Sequence, residues 1–472
     1  MACYRVVVDW RTRERGRVQR RRHAERATFE PGESPADLMN VNDARGPGVD
    51  NSQVFAADPI HMNDSLFDHL TAAGMRLLRL RDHALLPVVQ GGMGVGVSAH
   101  RLASAVARAG ALGTVASVDL RHHHEDLMEQ SKRVRDRETL DRINLVALDR
   151  EVRMAKEQSE GRGAIAVNVM KAVDEHPALV RQACESGADA IVMGAGLPLD
   201  LPEMTADFPK VALIPILSDA RGVALVLRKW MRKKRLPDAI VIEHPRYAGG
   251  HLGATRAEEL QDPRFDFEPV AEGVAAQMRE MGIESERIPL IAAGGINSHE
   301  RVRQLLTSGY SGVQLGTAFA VTEEGDAHPN FKRVLAGARP QDMVEFISVA
   351  GLLARAVRTP WLDRYLKREE FLKSKASAHQ NKCAVGLQCL TVCGLRDGLS
   401  KFGQFCIDSQ LAAAVKGEVS RGLFFRGASS IPFGSAIRPA RELIDYLLSG
   451  RMPAALAAGL APAARQELAE AV

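Results

Sequence analysis

The pattern of apolar and polar positions changes at about residue 85, where short apolar runs begin to alternate with segments of helical periodicity. Most positions in each run are apolar, which predicts parallel strands covered on both faces. The helical segments include Ser98–Ala109 and Ser298–Ser308, with Ser98 and Ser298 at the expected N-cap positions. The eight apolar runs are Leu86–Gln90, Leu112–Ser117, Ala164–Val169, Ala190–Gly194, Ala212–Leu217, Ala239–Glu243, Leu290–Ala293 and Gly312–Leu315.

Eight β-then-α units within about 240 residues predict an α/β fold of the (β/α)8 TIM-barrel type. A doubly wound sheet is the alternative, although five or six strands usually suffice for it. Two units are extended, by Arg121 to Gly161 after the second strand and by Ala254 to Arg287 after the sixth. Both extensions follow the carboxyl ends of strands, where TIM barrels carry their active sites.

The segments outside the barrel differ from it in composition. Residues 1–60 are rich in arginine and proline and predict a disordered basic extension, with a nucleic-acid-binding arm or a transit peptide as alternatives. The barrel is expected at 61–335, a smaller C-terminal helical module with cysteines at 336–450, and a tail at 451–472. Phe346–Val357 and Pro439–Leu448 are the clearest predicted helices of that module.

Composition narrows the class of protein. The chain has 472 residues, a formal net charge of +4 and six cysteines. No apolar run approaches the ~20 residues of a membrane span, and the cysteines are too sparse for a disulfide scaffold. These features predict a cytoplasmic protein that binds neither membrane nor nucleic acid, and they leave open whether it forms a homodimer.

Three glycine-containing turns follow predicted strands. Gly91 to Gly96 lacks the dinucleotide-binding G-x-G-x-x-G spacing, but it would let a flat ligand lie against bare backbone. The turns at Gly294-Gly295 and Gly316-Thr317 follow the seventh and eighth strands, where barrels commonly bind a phosphate. A plain tight turn is the alternative for each of them. The pair of turns favours a phosphorylated cofactor.

His251 lies among Gly249, Gly250 and Gly253 after the sixth strand, in a predicted turn with little neighbouring bulk. A neutral imidazole there could remove a proton from a carbon acid near pH 7. The alternative is a histidine that only hydrogen-bonds a loop. The sequence around His251 does not decide between the two.

The segments PVVQGGMG, AIAVNVM, VMGAGLP, DAIVIEHPRYAGGHLG, IPLIAAGGI and GVQLGTAF occur in an order that resembles the nitronate monooxygenase family, also called 2-nitropropane dioxygenases. The flavin-dependent enoyl-thioester reductases share this pattern. The resemblance implies a TIM barrel that binds FMN and oxidises alkyl nitronates or nitroalkanes with O2 to a carbonyl compound and nitrite. An NAD(P)H-dependent reductase of an enoyl thioester or quinone is the alternative.

The resemblance also assigns roles to residues. His251 would be the catalytic base. Asn168 would hydrogen-bond near the flavin, and Gly249 and Gly250 are counted with the cofactor-binding residues. The flavin ring would lie along Gln90, Gly91, Gly92 and Met93, and the phosphate would lie against Gly294, Gly295, Gly316 and Thr317.

No metal site is predicted. His122, His123 and His124 are consecutive, and consecutive side chains rarely converge on one ion, so a polar wall of the active site or a solvated helix start is favoured. The spacing of Cys383, Cys389, Cys393 and Cys406 matches neither zinc nor the usual iron–sulfur patterns. Buried thiols are the favoured interpretation, with Cys393 and Cys406 the pair of interest.

Overall fold

The structure is a computed structural model that describes residues 70, 74–134, 136–254, 256–379, 383 and 389–457. The predicted extension over residues 1–60 lies outside these residues, as does 458–472 of the predicted tail. The described residues belong to one compact unit. Among the helices described, none is long and apolar enough to cross a membrane.

Eight parallel strands close into a barrel, which confirms the TIM-barrel prediction and excludes the doubly wound sheet. Each predicted run overlaps one barrel strand, with bounds within two residues of those expected. The strands are β3 (Val88–Gln90), β4 (Leu112–Ala116), β5 (Ala164–Met170), β6 (Ala190–Gly194), β7 (Ala212–Leu217), β8 (Ile240–Glu243), β10 (Leu290–Ala293) and β11 (Gly312–Leu315). Around the barrel their order is β10-β11-β3-β4-β5-β6-β7-β8.

The barrel interior is filled by small and branched side chains from alternate strand positions, among them Val89, Ala166 and Ile291. An antiparallel hairpin of β1 (Leu78–Leu80) and β2 (His83–Leu85) precedes the first barrel strand. Its leucines Leu78, Leu80 and Leu85 join the same apolar cluster. The hairpin therefore contributes to the barrel core, and the other end of the barrel is left for the loops that follow the strands.

Helices alternate with the strands and pack against them. Those of the barrel are α1 (His100–Arg108), α2 (Glu125–Ser131), α3 (Arg137–Gln158), α4 (His176–Glu185), α5 (Leu201–Met204), α6 (Ala220–Met231), α7 (Phe267–Glu280), α8 (His299–Thr307), α9 (Thr317–Ala320) and α10 (Pro329–Gly337). Short 3-10 helices lie at Leu120–His123, Ala257–Gln261, Pro263–Phe265, Ser285–Arg287 and Pro340–Asp342. Both predicted extensions are therefore helical.

One of the two predicted N-caps is confirmed. The Ser298 hydroxyl accepts a hydrogen bond from the backbone N–H of Arg301 at 3.2 Å. The prediction for Ser98 is wrong, because its hydroxyl instead accepts from the backbone N–H of Met93. The start of α1 is capped from a distance by the Asp326 carboxylate, which accepts from the N–H groups of Ala99, Arg101 and Leu102 at 2.8, 3.2 and 3.2 Å.

The predicted helix at Phe346–Val357 is wrong. The segment forms two antiparallel strands, β12 (Met343–Ile347) and β13 (Leu353–Val357), joined by a turn in which Gly351 has a φ of 73°. Strand β13 also pairs with the two-residue β9 (Gly250–His251). The helices of this module are α11 (Pro360–Leu366), α12 (Glu369–Ser374), α13 (Ala376–His379), α14 (Ile407–Val415), α15 (Ala440–Ser449) and α16 (Ala454–Ala457). The smaller C-terminal helical module is therefore confirmed, with an added sheet.

Close packing of α1 on β4 gives a first testable prediction. A Cβ on Gly113 would overlap the carbonyl of Ala103 in α1. We expect Gly113→Ala to lower the free energy of unfolding by about 1–3 kcal/mol, measured by urea unfolding. The matched control is Gly337→Ala, where a Cβ would meet nothing within 4 Å. Equal stability of the two variants would show that α1 can move away from β4.

Candidate active site

The predicted cofactor-binding residues lie on one continuous arc at the carboxyl ends of the barrel strands. Gly294 and Gly295 follow β10, Gly316 and Thr317 follow β11, and Gln90 ends β3. These three strands are neighbours in the barrel, and β8, which precedes His251, lies on the other side of β10. Sequence positions more than 200 residues apart are thus brought to one edge of the barrel.

Asn168 of β5 closes the arc at its far end. A Cβ added to Gly92 would overlap the Asn168 side chain. The close approach requires glycine at position 92 and brings the loop after β3 against β5. The Asn168 carbonyl accepts from the backbone N–H of Ser117 at 3.0 Å, and the side chain is half-buried. The structure therefore brings Gly92 and Asn168 together.

The two glycine turns present unpaired backbone donors. Gly294 and Gly295 have φ angles of 98° and 77°, in the left-handed region that favours glycine. Within the described part of the chain, the backbone N–H groups of Gly294, Gly295, Gly316 and Thr317 have no hydrogen-bond partner. All four residues are half-buried. Such donors at strand ends suit an anionic group.

The side chain of Gln90 is used inside the protein. It is fully buried, its Oε1 accepts from the backbone N–H of Thr114 at 2.8 Å, and its Nε2 donates to the carbonyl of Gly91. Met93 is half-buried, and its Sδ would lie 3.6 Å from a Cβ at Gly316. Gly91 is buried and its N–H donates to the Leu315 carbonyl at 2.9 Å, so the surface available to a ligand is the backbone of Gly92 and Met93 rather than Gly91 or the Gln90 side chain.

His251 is in a short strand and not in the open turn that was expected. It pairs with Ala354 of β13, and its ring centroid is 5.8 Å from that of Phe425. Its Nε2 is 2.8 Å from the hydroxyl of Ser348, which is fully buried. Burial lowers the pKa of His251 to about 4, so the imidazole is neutral at pH 7.

A segment of the C-terminal module joins the His251 region to the turn after β11. The backbone N–H of Gly427 donates to the Thr317 hydroxyl at 3.0 Å, and that of Ala428 donates to the carbonyl of Tyr247 at 3.1 Å. A Cβ on Gly249 would lie 2.5 Å from the backbone of Arg426 and Gly427. Gly249 therefore serves packing of this segment, a role that the motif alone did not indicate.

Sequence reasoning also missed Glu243 as a titratable group. It ends β8, in register with Ala293 of β10, where alternation with Val241 directs it to the barrel interior. Burial raises the pKa of Glu243 to about 7. Its position as the last residue of an apolar barrel strand is the signal that could have identified it.

The three consecutive histidines form a polar wall beside the loop after β3, and each has its own partner. The Nε2 atoms of His122, His123 and His124 lie 3.0 Å from an Asp119 oxygen, 2.8 Å from the Gly96 carbonyl and 3.0 Å from a Glu151 oxygen. In the described ranges, no group of three or more His, Cys, Asp or Glu residues could hold a metal ion. Of the four cysteines predicted as buried thiols, only Cys393 is buried, and Cys383, Cys389 and Cys406 are half-buried.

The chain is similar to known proteins in sequence and in fold. Residues 79–449 match the nitronate monooxygenase family. A probable nitronate monooxygenase of Bacillus subtilis is 30% identical over 285 residues, which cover 59% of this chain and 78% of that protein. A nitronate monooxygenase of Pseudomonas aeruginosa is 33% identical over 110 residues, which cover 23% of this chain and 29% of that protein. The structure of FabK from Thermotoga maritima is similar in fold, with a TM-score of 0.52, 22% identity, and coverage of 77% of this chain and 91% of that chain.

Proposed function

Since the chain belongs to the nitronate monooxygenase family, it is a flavin-dependent oxidoreductase, and we propose that its flavin is FMN and its substrates are alkyl nitronates and nitroalkanes. The products would be a carbonyl compound and nitrite, with O2 as the oxidant. The observation that carries the proposal is the neutral His251 held by Ser348 next to the cofactor-binding arc. A base is needed for a neutral nitroalkane, whose α proton must be removed before oxidation.

The residues of the arc fit FMN. The unpaired N–H groups of Gly294, Gly295, Gly316 and Thr317 would hold the phosphate. The backbone of Gly92 and Met93 would lie along the ring, with buried Gly91 supporting them from behind, and Asn168 would supply a polar contact to its edge. When bound, the flavin supplies the electron acceptor that connects substrate oxidation to O2.

We place the proton of the neutral His251 imidazole on Nε2, facing Ser348, which would leave Nδ1 as the base. The Ser348 hydroxyl oxygen accepts from the backbone N–H of Ala350 at 3.2 Å and lies 2.8 Å from His251 Nε2. With the imidazole proton on Nε2 and donated to this oxygen, Nδ1 carries the free lone pair. No described residue hydrogen-bonds Nδ1. In the proposal, Nδ1 takes the α proton and the resulting imidazolium is held by Ser348.

The test is anaerobic mixing of the FMN-loaded protein with a nitronate and, separately, with NADH or NADPH. We expect the flavin absorbance to fall with the nitronate and to stay unchanged with either nicotinamide. Rapid bleaching by NADH or NADPH with none by the nitronate would contradict the proposal and favour an NAD(P)H-dependent reductase. The contacts to the phosphate and the flavin ring are common to both activities, so this experiment distinguishes the two activities by the substrate that reduces the flavin.

Ser348→Ala should lower nitroalkane turnover by about 10- to 100-fold, because the imidazole loses the contact that orients it. Turnover of preformed nitronate should change much less, since no α proton is removed. Steady-state nitrite release with the two substrates measures both effects. The control is Ser186→Ala, which removes a hydroxyl that donates to the Asp149 carboxylate at the end of α4 leading into β6, and it should leave the ratio of the two activities unchanged. Equal loss on both substrates in Ser348→Ala would contradict a role in orienting the base.

A further inference from the structure

Cys389 and Cys393 lie in a segment of the C-terminal module that is fixed to two other parts of the protein. The Cys389 carbonyl accepts from the backbone N–H of Asp174 at 3.1 Å, and Thr391 N–H donates to the Ala172 carbonyl at 2.8 Å. Residues 172–174 belong to the loop after β5. On the other side, Gly394 N–H donates to the Val349 carbonyl at 2.7 Å. The backbone around both cysteines is therefore held in place.

The sulfur of Cys393 is surrounded by donors. It accepts hydrogen bonds from the Cys389 thiol and from the backbone N–H groups of Leu395 and Arg396. The hydrogen bond from Cys389 makes the largest contribution to lowering the pKa of Cys393, to about 7. Cys393 is only 7% exposed, so these donors, and not water, surround its thiolate. Hydrogen-bond donors arranged in this way around a sulfur stabilise the thiolate, which is the reactive form of a cysteine.

Arg396 adds a fixed positive charge beside the pair. Its Nη1 is 3.0 Å from the Cys389 sulfur. The same guanidinium donates to the carbonyls of Leu390 and Thr391 at 2.7 and 3.0 Å, and its Nε donates to Asp397 at 2.7 Å. Because four contacts fix the guanidinium, its charge stays beside the Cys389 sulfur and acts to lower the pKa of both thiols. A cation in this position favours the thiolate first on one sulfur and then, once that sulfur has reacted, on the other.

We propose that Cys389 and Cys393 form a redox-active dithiol that a hydroperoxide oxidises to an intramolecular disulfide. In the first step the Cys393 thiolate attacks one oxygen of the hydroperoxide. An S–O bond forms, the O–O bond breaks, and the leaving alkoxide or hydroxide takes a proton from water, so sulfur is oxidised and the peroxide reduced. The Cys389 sulfur then attacks the sulfenic acid of Cys393. The S–S bond forms, the S–O bond breaks, and hydroxide leaves as water with the proton of Cys389.

The other described cysteines provide internal controls in the same chain. Burial raises the pKa of Cys184 in α4 to about 12, which keeps it a thiol. Burial also raises the pKa of Cys406, whose sulfur accepts hydrogen bonds from the Ser409 hydroxyl at 3.3 Å and from the Ser409 backbone N–H. We therefore expect Cys393 to pair with Cys389, which corrects the interpretation from sequence that Cys393 and Cys406 are the pair of interest. The partner of Cys393 is Cys389, because these two thiols hydrogen-bond each other.

The experiment uses the full-length protein and hydrogen peroxide as the probe, with peptide mapping by mass spectrometry. Before oxidation, iodoacetamide at pH 7 should modify Cys393 at least about tenfold faster than Cys406 or Cys184. After oxidation, the peptides of Cys389 and Cys393 should be joined, and a dithiol reductant should separate them. In Cys389→Ser, which cannot close the bond, dimedone should trap a sulfenic acid at Cys393. Cys184→Ser is the matched control and should form the disulfide as the wild type does.

Three results would overturn the proposal. The first is that Cys389 and Cys393 both remain reduced under peroxide in the wild-type protein. The second is a disulfide that joins Cys393 to Cys383 or Cys406 instead of Cys389. The third is a stoichiometric content of iron or zinc that is lost when Cys389 and Cys393 are alkylated. None of these measurements requires a functional flavin, so they test the dithiol independently of the proposed nitronate chemistry.

Discussion

His251→Asn should lower the turnover of neutral nitroalkanes by about 10²- to 10⁴-fold and retain most of the turnover of preformed nitronates. Asparagine can still meet Ser348, but its amide cannot accept a proton as the imidazole does. The nitronate already lacks the α proton and does not need the base. The measurement is nitrite release with the same compound supplied either as the nitroalkane or as its nitronate. Equal losses on both forms would remove the base role from His251.

The pH dependence of the wild-type protein gives a second check on His251. Burial lowers its pKa to about 4, so the neutral imidazole persists as the pH falls below the value of about 6.5 at which an ordinary histidine becomes charged. Nitroalkane turnover should therefore remain at about pH 5 and decline only as the pH approaches the lowered value. A decline centred near pH 6.5 would show that the base is a solvated histidine and not the buried His251.

Gly295→Val should prevent FMN binding while leaving the barrel folded. Gly295 has a φ of 77°, and a Cβ there would lie 2.8 Å from the Tyr247 ring. A β-branched residue at this φ costs about 1–3 kcal/mol, and relief of the strain would turn the donors of the loop away from the phosphate. We expect the affinity for FMN to fall by about 100-fold or more, measured by flavin fluorescence during titration of the flavin-free protein.

The matched control for Gly295→Val is Gly282→Val. Gly282 has a φ of 70°, and a Cβ there would meet nothing within 4 Å. It follows α7 and lies away from the glycine turns after β10 and β11. This variant carries the same backbone strain and should keep FMN affinity close to that of the wild type. Loss of FMN from both variants would mean that backbone strain anywhere in the barrel is enough to prevent FMN binding. Tight binding of FMN by both would exclude Gly295 from the phosphate site.

The barrel could be predicted from the sequence because each of its strands is buried on both faces. Such strands are apolar almost throughout, so runs such as Ala190–Gly194 stand out against the charged helices. The same signal failed for Phe346–Val357, where apolar residues fit a helix as well as two strands. Gly351, with its positive φ, was the available sign of a hairpin turn. Pairing with β9 then decided the structure, and pairing over that distance is not visible in local sequence.

The candidate site likewise combines residues that local sequence could identify with residues that only long-range contacts bring into place. The glycine turns and His251 are local motifs, so they could be identified before the structure was known. Ser348 and Gly427 could not, because they reach His251 and Thr317 from 97 and 110 residues away along the chain. Both belong to the C-terminal module, whose sequence carries no pattern that indicates which barrel loop it contacts. The thiol pair of Cys389 and Cys393 was likewise a matter of side-chain geometry and not of spacing.

The most direct test of the central claim is oxygen consumption by the FMN-loaded, full-length protein with a preformed alkyl nitronate as the only reductant. We expect oxygen uptake that depends on the nitronate and on FMN and is accompanied by release of nitrite. Oxygen uptake that stays at the background rate with nitronate, while NADH or NADPH is consumed in the presence of an enoyl thioester or quinone, would contradict it.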